Sequence, residues 1–325
     1  MKLSHRPTYT PDQMYRYFDH IALPDAEKRL DGHVSQSQHG YSFLATLQKY
    51  HMAAVPFENL SLHYSPHHSV SLDPQDLYRK IVERHMGGRC MENNAFFAAV
   101  LRSLGYVLYS AGARVSKSAS LETRDESEGA EDSQYSGWSH MVNIVSIDGR
   151  RYMVDVGFGS NASIQPLPLV DGKVLENVSP QSVRLLHANI PQNTDSDQKL
   201  WRFQYRFDDS SSWTDGYCFT ELEFLPEDFV VMSYSTSTSR TSWFTQKIVC
   251  VKTLLEKNET IGTLILFEAE LKQRIRGKTE LVATLESEEQ RIAALEKHFH
   301  IKLNENECKG IRGTVTELRD GSSKA

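Results

Sequence analysis

The sequence has no long hydrophobic run. Nowhere do its 325 residues supply the roughly 20 consecutive apolar positions that a membrane-spanning helix needs, so no membrane partner is expected. A basic stretch is missing too. With 36 Lys and Arg against 42 Asp and Glu, the formal net charge is -6. Nothing lies in series to neutralise a phosphate backbone, which excludes an electrostatic nucleic-acid binder. Residues 1–10 are polar and lack an apolar core, so no secretory leader is expected. Cysteine is scarce: Cys90, Cys218, Cys250 and Cys308 stand far apart without a Cys-x-x-Cys pair. That spacing argues against a disulfide framework or a structural zinc site and suits free thiols in a reducing cytoplasm. His63, His67 and His68 lie in a Pro/Ser segment without companion ligands. They read as surface residues, and no metal is expected.

What is present is a soluble globular composition, 39% hydrophobic and 24% charged, in a chain long enough for two or three packed subdomains. The first hundred residues read as helices. Thr10-Pro11-Asp12-Gln13 combines an N-cap, a proline at the first helical position and a capping box, and Met14, Tyr17, Phe18 and Ile21 follow at helical spacing. A second helix covers about 41–52 and is broken by 55–60. A third begins near Asp73-Pro74, carries Leu77 and Ile81 on one face, and stops at Gly87-Gly88. The fourth spans 91–104 with Phe97, Val100, Leu101 and Leu104 on one stripe and Gly105 as its cap. No strand is expected before Gly105, so this part reads as a helical bundle. After it the period changes to two. Residues 116–135, rich in Ser, Glu and Asp, read as a solvated loop. Strands are expected near 200–207, 217–224, 243–251 and 260–267. A helix over 288–299 follows a Ser287-x-x-Gln290 box and turns Ile292, Leu295 and Phe299 inward; residues after Asn304 are expected to fray.

The chemistry concentrates at three positions. Cys90 opens the fourth helix, where unpaired amides and the positive end of the helix favour a thiolate. Residues 140–147 and 150–158 alternate as strands around Asp148-Gly149, the signature of a two-residue type I′ hairpin. In that register Val142 faces Asp155 and His140 faces Gly157, so His140 and Asp155 share a face as diagonal neighbours. A one-residue slip would separate them. A cysteine, a histidine and an aspartate so arranged can form a nucleophilic triad: His140 takes the thiol proton, Asp155 orients the imidazole, and amides near Cys90 hold an oxyanion. Each residue alone reads more simply, as a buried thiol, a strand histidine and a strand-end carboxylate. Spacing does not bring Cys90 to the hairpin, and it leaves the acyl acceptor open between water and an amine. Glu92 and Asn94 read as structural residues at the helix start; Cys218, Cys250 and Cys308 read as ordinary thiols.

Gly87-Gly88-Arg89-Cys90-Met91-Glu92-Asn93-Asn94, Val55-Pro56-Phe57-Glu58-Asn59-Leu60, the histidine strand and Val154-Asp155-Val156-Gly157-Phe158-Gly159 resemble the arylamine N-acetyltransferase family, in order and spacing over nearly the whole chain. Glu227-Asp228-Phe229 with the Ser/Thr-rich run to Phe244, and residues 281–303, are similar to its C-terminal part. The resemblance implies an α+β fold with a cysteine-protease-like Cys-His-Asp core: a helical bundle over 1–105, a β-barrel over 106–215 and an α/β lid over 216–325. It implies a ping-pong acyl transfer from acetyl-coenzyme A, with malonyl-coenzyme A as an alternative donor, to an arylamine, arylhydrazine or arylhydroxylamine. It assigns Cys90, His140 and Asp155 as the triad and Ser136, Gly137, Gly159 and Thr241 to coenzyme A. Phe57, Val115 and Phe158 are assigned to the amine pocket, and the protein is expected as a monomer or weak oligomer. Two residues depart from the family pattern. Met86 stands where arginine is usual, and Arg89 where an aromatic is usual; the missing arginine commonly pairs with the residue matching Glu58, a role Arg89 is a candidate to take. A triad hydrolase or transglutaminase-like enzyme and a non-catalytic coenzyme A-binding relative stay open as alternatives.

Overall fold

The computed structural model describes residues 6–30, 39–119 and 134–319; most of the acidic segment at 116–135 therefore lies outside the described residues. Helix α1 (Pro11–His20) starts as its sequence dictates. The Thr10 hydroxyl accepts from the Gln13 amide, and the Gln13 side chain accepts from the Thr10 amide. Helix α2 (Gly40–Ala54) and α3 (Pro74–Tyr78), capped by Asp73 and continued by a wider turn to Glu83, pack with α1 around α4 (Cys90–Ser103). Unlike a surface helix, α4 is buried almost all round, which is why its apolar stripe is broad rather than sharp.

Eight antiparallel strands follow: β2 (Val107–Val115), β3 (His140–Ile147), β4 (Arg150–Val154), β5 (Leu167–Pro168), β6 (Val174–Glu176), β7 (Ser182–Ala188), β8 (Leu200–Arg206) and β9 (Thr214–Glu223). Their order is β5-β4-β3-β2-β9-β8-β7-β6. No ladder joins β5 to β6 among the described residues, so the expected barrel is an open sheet, curled enough to bring β5 near β7. Val142, Ile144, Phe203, Tyr217 and Phe219 fill its inner face. The expected boundary at residue 215 falls inside β9, which pairs with both β2 and β8.

A second sheet has the order β1-β10-β11-β12-β13, with β1 (Phe57–Glu58), β10 (Val249–Glu256), β11 (Glu259–Phe267), β12 (Glu270–Ile275) and β13 (Lys278–Thr284). Strand β1 contradicts the expectation of no strand before Gly105; two residues are too few to show a period. The strand expected over 243–251 is also corrected. Residues Trp243–Thr245 form a single tight turn, and the strand starts only at Val249. Helix α5 (Pro226–Thr238) went unforeseen because its Ser/Thr content argues against helix; here the Thr236 and Ser237 hydroxyls donate back to the carbonyls of Met232 and Ser233. Helix α6 (Glu288–Ala294) continues in a wide turn to Phe299, with Leu295 and Phe299 buried. Among the described residues the chain does not fray after Asn304: Asn304 and Glu307 form a capping box for α7 (Glu305–Gly310), and Ile311 is fully buried. Among the described residues no helix is long and apolar enough to cross a membrane.

Candidate active site

Asp148 and Gly149 both adopt positive φ, as a type I′ turn requires. The strand pairs run from Ile147–Arg150 to Asn143–Val154 in the register the turn sets. One step beyond the last pair, His140 Nε2 lies 2.7 Å from Asp155 Oδ2, both side chains buried. Asp155 Oδ1 accepts from Asn94 Nδ2 at 2.8 Å and from the Gly157 amide at 2.8 Å. Asn94 also donates to the Met141 carbonyl at 2.8 Å, and its oxygen accepts from the Val156 amide at 3.1 Å. Helix α4 is thus stitched to the hairpin through one side chain. Sequence reasoning placed Asn94 at the helix start; its grip on Asp155 is a contact between distant segments that local pattern does not reveal.

The closest approach is at Gly157. A Cβ there would stand 2.6 Å from Cys90 Cα and 2.8 Å from the Cys90 carbonyl oxygen, so only glycine lets the hairpin touch the start of α4. Cys90 is the first residue of that helix, and its sulfur lies 3.7 Å from the Ser139 carbonyl. Burial alone would push the His140 pKa down. The Asp155 charge and hydrogen bond outweigh it, aided by a hydrogen bond with the Cys90 side chain, and hold it well above the ordinary histidine value. Burial would likewise raise Asp155, but His140, Asn94 and the Gly157 amide together hold it below the usual carboxylate range. The imidazole is packed between the rings of Tyr217 and Phe158, with centroids 4.8 and 5.6 Å away.

The segment before Cys90 resolves the question posed by Met86 and Arg89. Glu58 is paired by Lys80, 3.1 Å away, and the same ammonium reaches Glu92 at 2.8 Å. Burial would strip the Lys80 proton, yet the two carboxylates hold its pKa above normal. Arg89 does not take the Glu58 role. It turns the other way and donates to Ser233 and Thr236, each at 3.0 Å, and to Ser237 at 2.6 Å, all on α5. Met86 joins the apolar cluster of Leu60, Tyr64 and Leu264.

Cys90 and His140 open into a cleft of about 430 Å³. Phe57, Val115, Ser136, Phe158, Gly159 and Thr241 line it as well. Gly137 is not among the lining residues and is exposed, and Asp155 sits behind His140. Reasoning from sequence missed Lys117, Ser160, Asn161, Ser242 and the stacked Trp243–Phe244 pair (centroids 4.3 Å apart); the aromatic pair was legible but was absorbed into an expected strand. His63 is a correction: it is buried, with Nδ1 2.9 Å from the Thr316 hydroxyl and Nε2 3.0 Å from the Phe244 carbonyl, and burial lowers its pKa to about 4. Among the described residues no group of three His, Cys, Asp or Glu side chains is placed to hold a metal.

A model of the N-acetyltransferase family matches residues 42–308. The chain is 38% identical over 323 residues to N-malonyltransferase FDB2 of Gibberella moniliformis, covering 94% of this chain and 92% of that one. It is 32% identical over 217 residues to the pineal gland arylamine N-acetyltransferase isozyme NAT-10 of Gallus gallus, covering 64% and 69%. Its fold is similar to that of Mycobacterium marinum arylamine N-acetyltransferase in complex with CoA. That match has a TM-score of 0.70 and 25% identity, over 92% of this chain and 98% of that one.

Proposed function

The chain belongs to the arylamine N-acetyltransferase family, and on that premise we propose that it carries an acyl group from acyl-coenzyme A to the nitrogen of an arylamine, arylhydrazine or arylhydroxylamine through a thioester on Cys90. His140 holds the Cys90 proton as an imidazolium, and the thiolate adds to the acyl-coenzyme A carbonyl while amides at the start of α4 stabilise the oxyanion. The intermediate collapses, the coenzyme A thiolate leaves, and the imidazolium proton goes to it. In the second half-reaction the amine nitrogen attacks the Cys90 thioester, His140 accepts the nitrogen's proton, and the Cys90 thiolate departs. Asp155 holds the ring in one orientation and stabilises its cation. Ser136, Gly137, Gly159 and Thr241 contact coenzyme A; Phe57, Val115 and Phe158 form the amine wall.

The observation that carries this reading is the buried His140–Asp155 pair behind a cleft that also exposes Cys90. The test is intact-mass analysis after incubation with acyl-coenzyme A. One acyl adduct is expected, absent in Cys90→Ser and discharged on adding aniline. Rapid loss of the adduct without amine would favour a hydrolase. Coenzyme A binding with a Cys90 that iodoacetamide does not modify at neutral pH would favour a non-catalytic relative.

A second observation bears on the donor. Arg89, buried at 2% exposure, precedes the nucleophile, and Thr236, which it binds, lines the cleft. A malonyl group carries a carboxylate that acetyl lacks, and the Arg89 guanidinium, 3.6 Å from Glu92, would act on it from behind the α5 hydroxyls, of which Thr236 faces the cleft. We therefore favour malonyl-coenzyme A as donor, in line with the name of the Gibberella relative. A panel of both donors checks this: Arg89→Gln should narrow the malonyl-to-acetyl ratio of kcat/KM, and an unchanged ratio would remove Arg89 from the account.

A further inference from the structure

A second cavity, of about 270 Å³, lies along the flank of α4 and shares no lining residue with the Cys90 cleft. From α4 it takes Ala95, Ala98 and Arg102, spaced i, i+3 and i+7 and so on one helical face. Leu77, Met141, Phe224 and Phe229 supply apolar walls from α3, β3 and the α5 region. Its polar groups are few. At the rim, Arg6 and Glu223 are paired at 2.9 Å and cancel. Ser110 spends its hydroxyl on Asn143 Oδ1 at 2.7 Å.

Arg102 is different. Half-buried at the cavity wall, its guanidinium makes no hydrogen bond or ion pair with any of the described residues. Burial and the neighbouring Arg6 lower its pKa to about 10, with Glu223 opposing. An uncompensated, partly desolvated cation at the edge of an apolar chamber is costly to keep and rewards an anion that fills the chamber.

We propose that this cavity is a second binding site, for a compact apolar carboxylate whose acid group is held by Arg102. The chamber falls just under the roughly 300 Å³ lower bound of drug-sized pockets, which fits a one- or two-ring aromatic acid or a short alkyl acid rather than coenzyme A. Its floor adjoins the residues that hold the hairpin: Ser110 bonds Asn143, Asn143 donates to the Asn94 carbonyl at 3.0 Å, and Asn94 binds Asp155.

The test is calorimetric titration of the full chain with 2-naphthoate and, separately, with neutral 2-naphthamide. Saturable naphthoate binding is expected, with the amide at least about tenfold weaker, as loss of a charge-assisted hydrogen bond implies. Arg102→Met should weaken naphthoate by a similar factor. Glu223→Gln is on the surface and leaves the fold undisturbed; it removes a competing carboxylate and should tighten binding several-fold. Absence of binding at millimolar naphthoate, equal affinity for acid and amide, or an affinity indifferent to both substitutions would overturn the proposal. Because Glu223→Gln also frees Arg6, Arg102→Gln decides should Arg102→Met fail to fold: an unchanged naphthoate affinity in it overturns the proposal.

Discussion

Gly157 and Asp155 set the tolerances of the site at the scale of single residues. A methyl at 157 has nowhere to go but into the Cys90 backbone, so Gly157→Ala must displace the hairpin or the helix start. Displacements near 1 Å cost on the order of 100-fold in rate, and overpacking of this kind costs about 1–3 kcal/mol. The expected outcome is a fall of about that size in kcat/KM with a modest loss in thermal denaturation; wild-type kcat/KM would mean that α4 gives way freely. For the ion pair the signs are opposite. Asp155 is held below its ordinary pKa, so its contribution is complete above about 4 and is lost as pH falls through the lowered value. His140 is held above its ordinary value, so its contribution is complete below about 6.5 and is lost as pH rises through the raised value. The pair stays charged across neutrality. Hence kcat/KM should show no histidine inflection near pH 6.5, whereas Asp155→Asn should be less stable and nearly inactive. A wild-type inflection at 6.5 would place His140 in solvent-like surroundings. The His140–Asp155 relation was legible because an Asp-Gly turn and strand parity fix it locally. The role of Asn94 was not, since its partners arrive from another element.

Between elements, buried charge does the joining. Lys80, just after α3, meets Glu58 of β1 and Glu92 of α4, and these three positions fall in separate stretches of sequence with no period to connect them. Reading the chain offered Arg89 as the partner of Glu58 because Met86 stands where the family's arginine is usual; geometry gives that task to Lys80 and sends Arg89 to α5. Lys80→Met would leave Glu58 buried without a cation and Glu92 with only the Arg89 guanidinium, 3.6 Å away, and a buried carboxylate that loses its partner typically costs about 3 kcal/mol or more. Chemical denaturation should register that loss, and the loop before Cys90 should gain protease sensitivity. A variant as stable as the parent would show that water reaches the pair. The same limit explains α5: its helix depends on hydroxyls bonding back to their own turn and on the guanidinium they receive, neither of which composition reports.

For the molecule as a whole, the buried histidines govern its response to acid. His51 is fully enclosed, with its pKa lowered to about 3 by burial; buried His63 and half-buried His20 are both lowered to about 4, chiefly by loss of solvent. Each is neutral in the fold and protonated in the unfolded chain below about 6.5, so the unfolded state binds more protons and stability falls as pH drops from about 6.5 toward 4. The midpoint of urea unfolding should decline steadily over that interval, and His51→Gln should flatten the decline. A midpoint constant from pH 7 to 4.5 would contradict the burial of these rings. The broad plan, helices then strands with the cysteine on the first part and the histidine on the second, was legible from period alone. Of the second sheet, the strand over 260–267 was legible, but its pairing with β1 was not, because that opening strand has two residues and its partner comes from much later in the chain. That pairing, Phe57 with Val251 and Glu58 with Cys250, also anchors Gly88, whose carbonyl accepts from the Glu58 amide at 3.0 Å. Gly88 and β1 thus clasp each other through residues made early, while the sheet that backs them waits for β10, so a chain cut before Val249 would leave that clasp at a bare edge with no neighbouring strand.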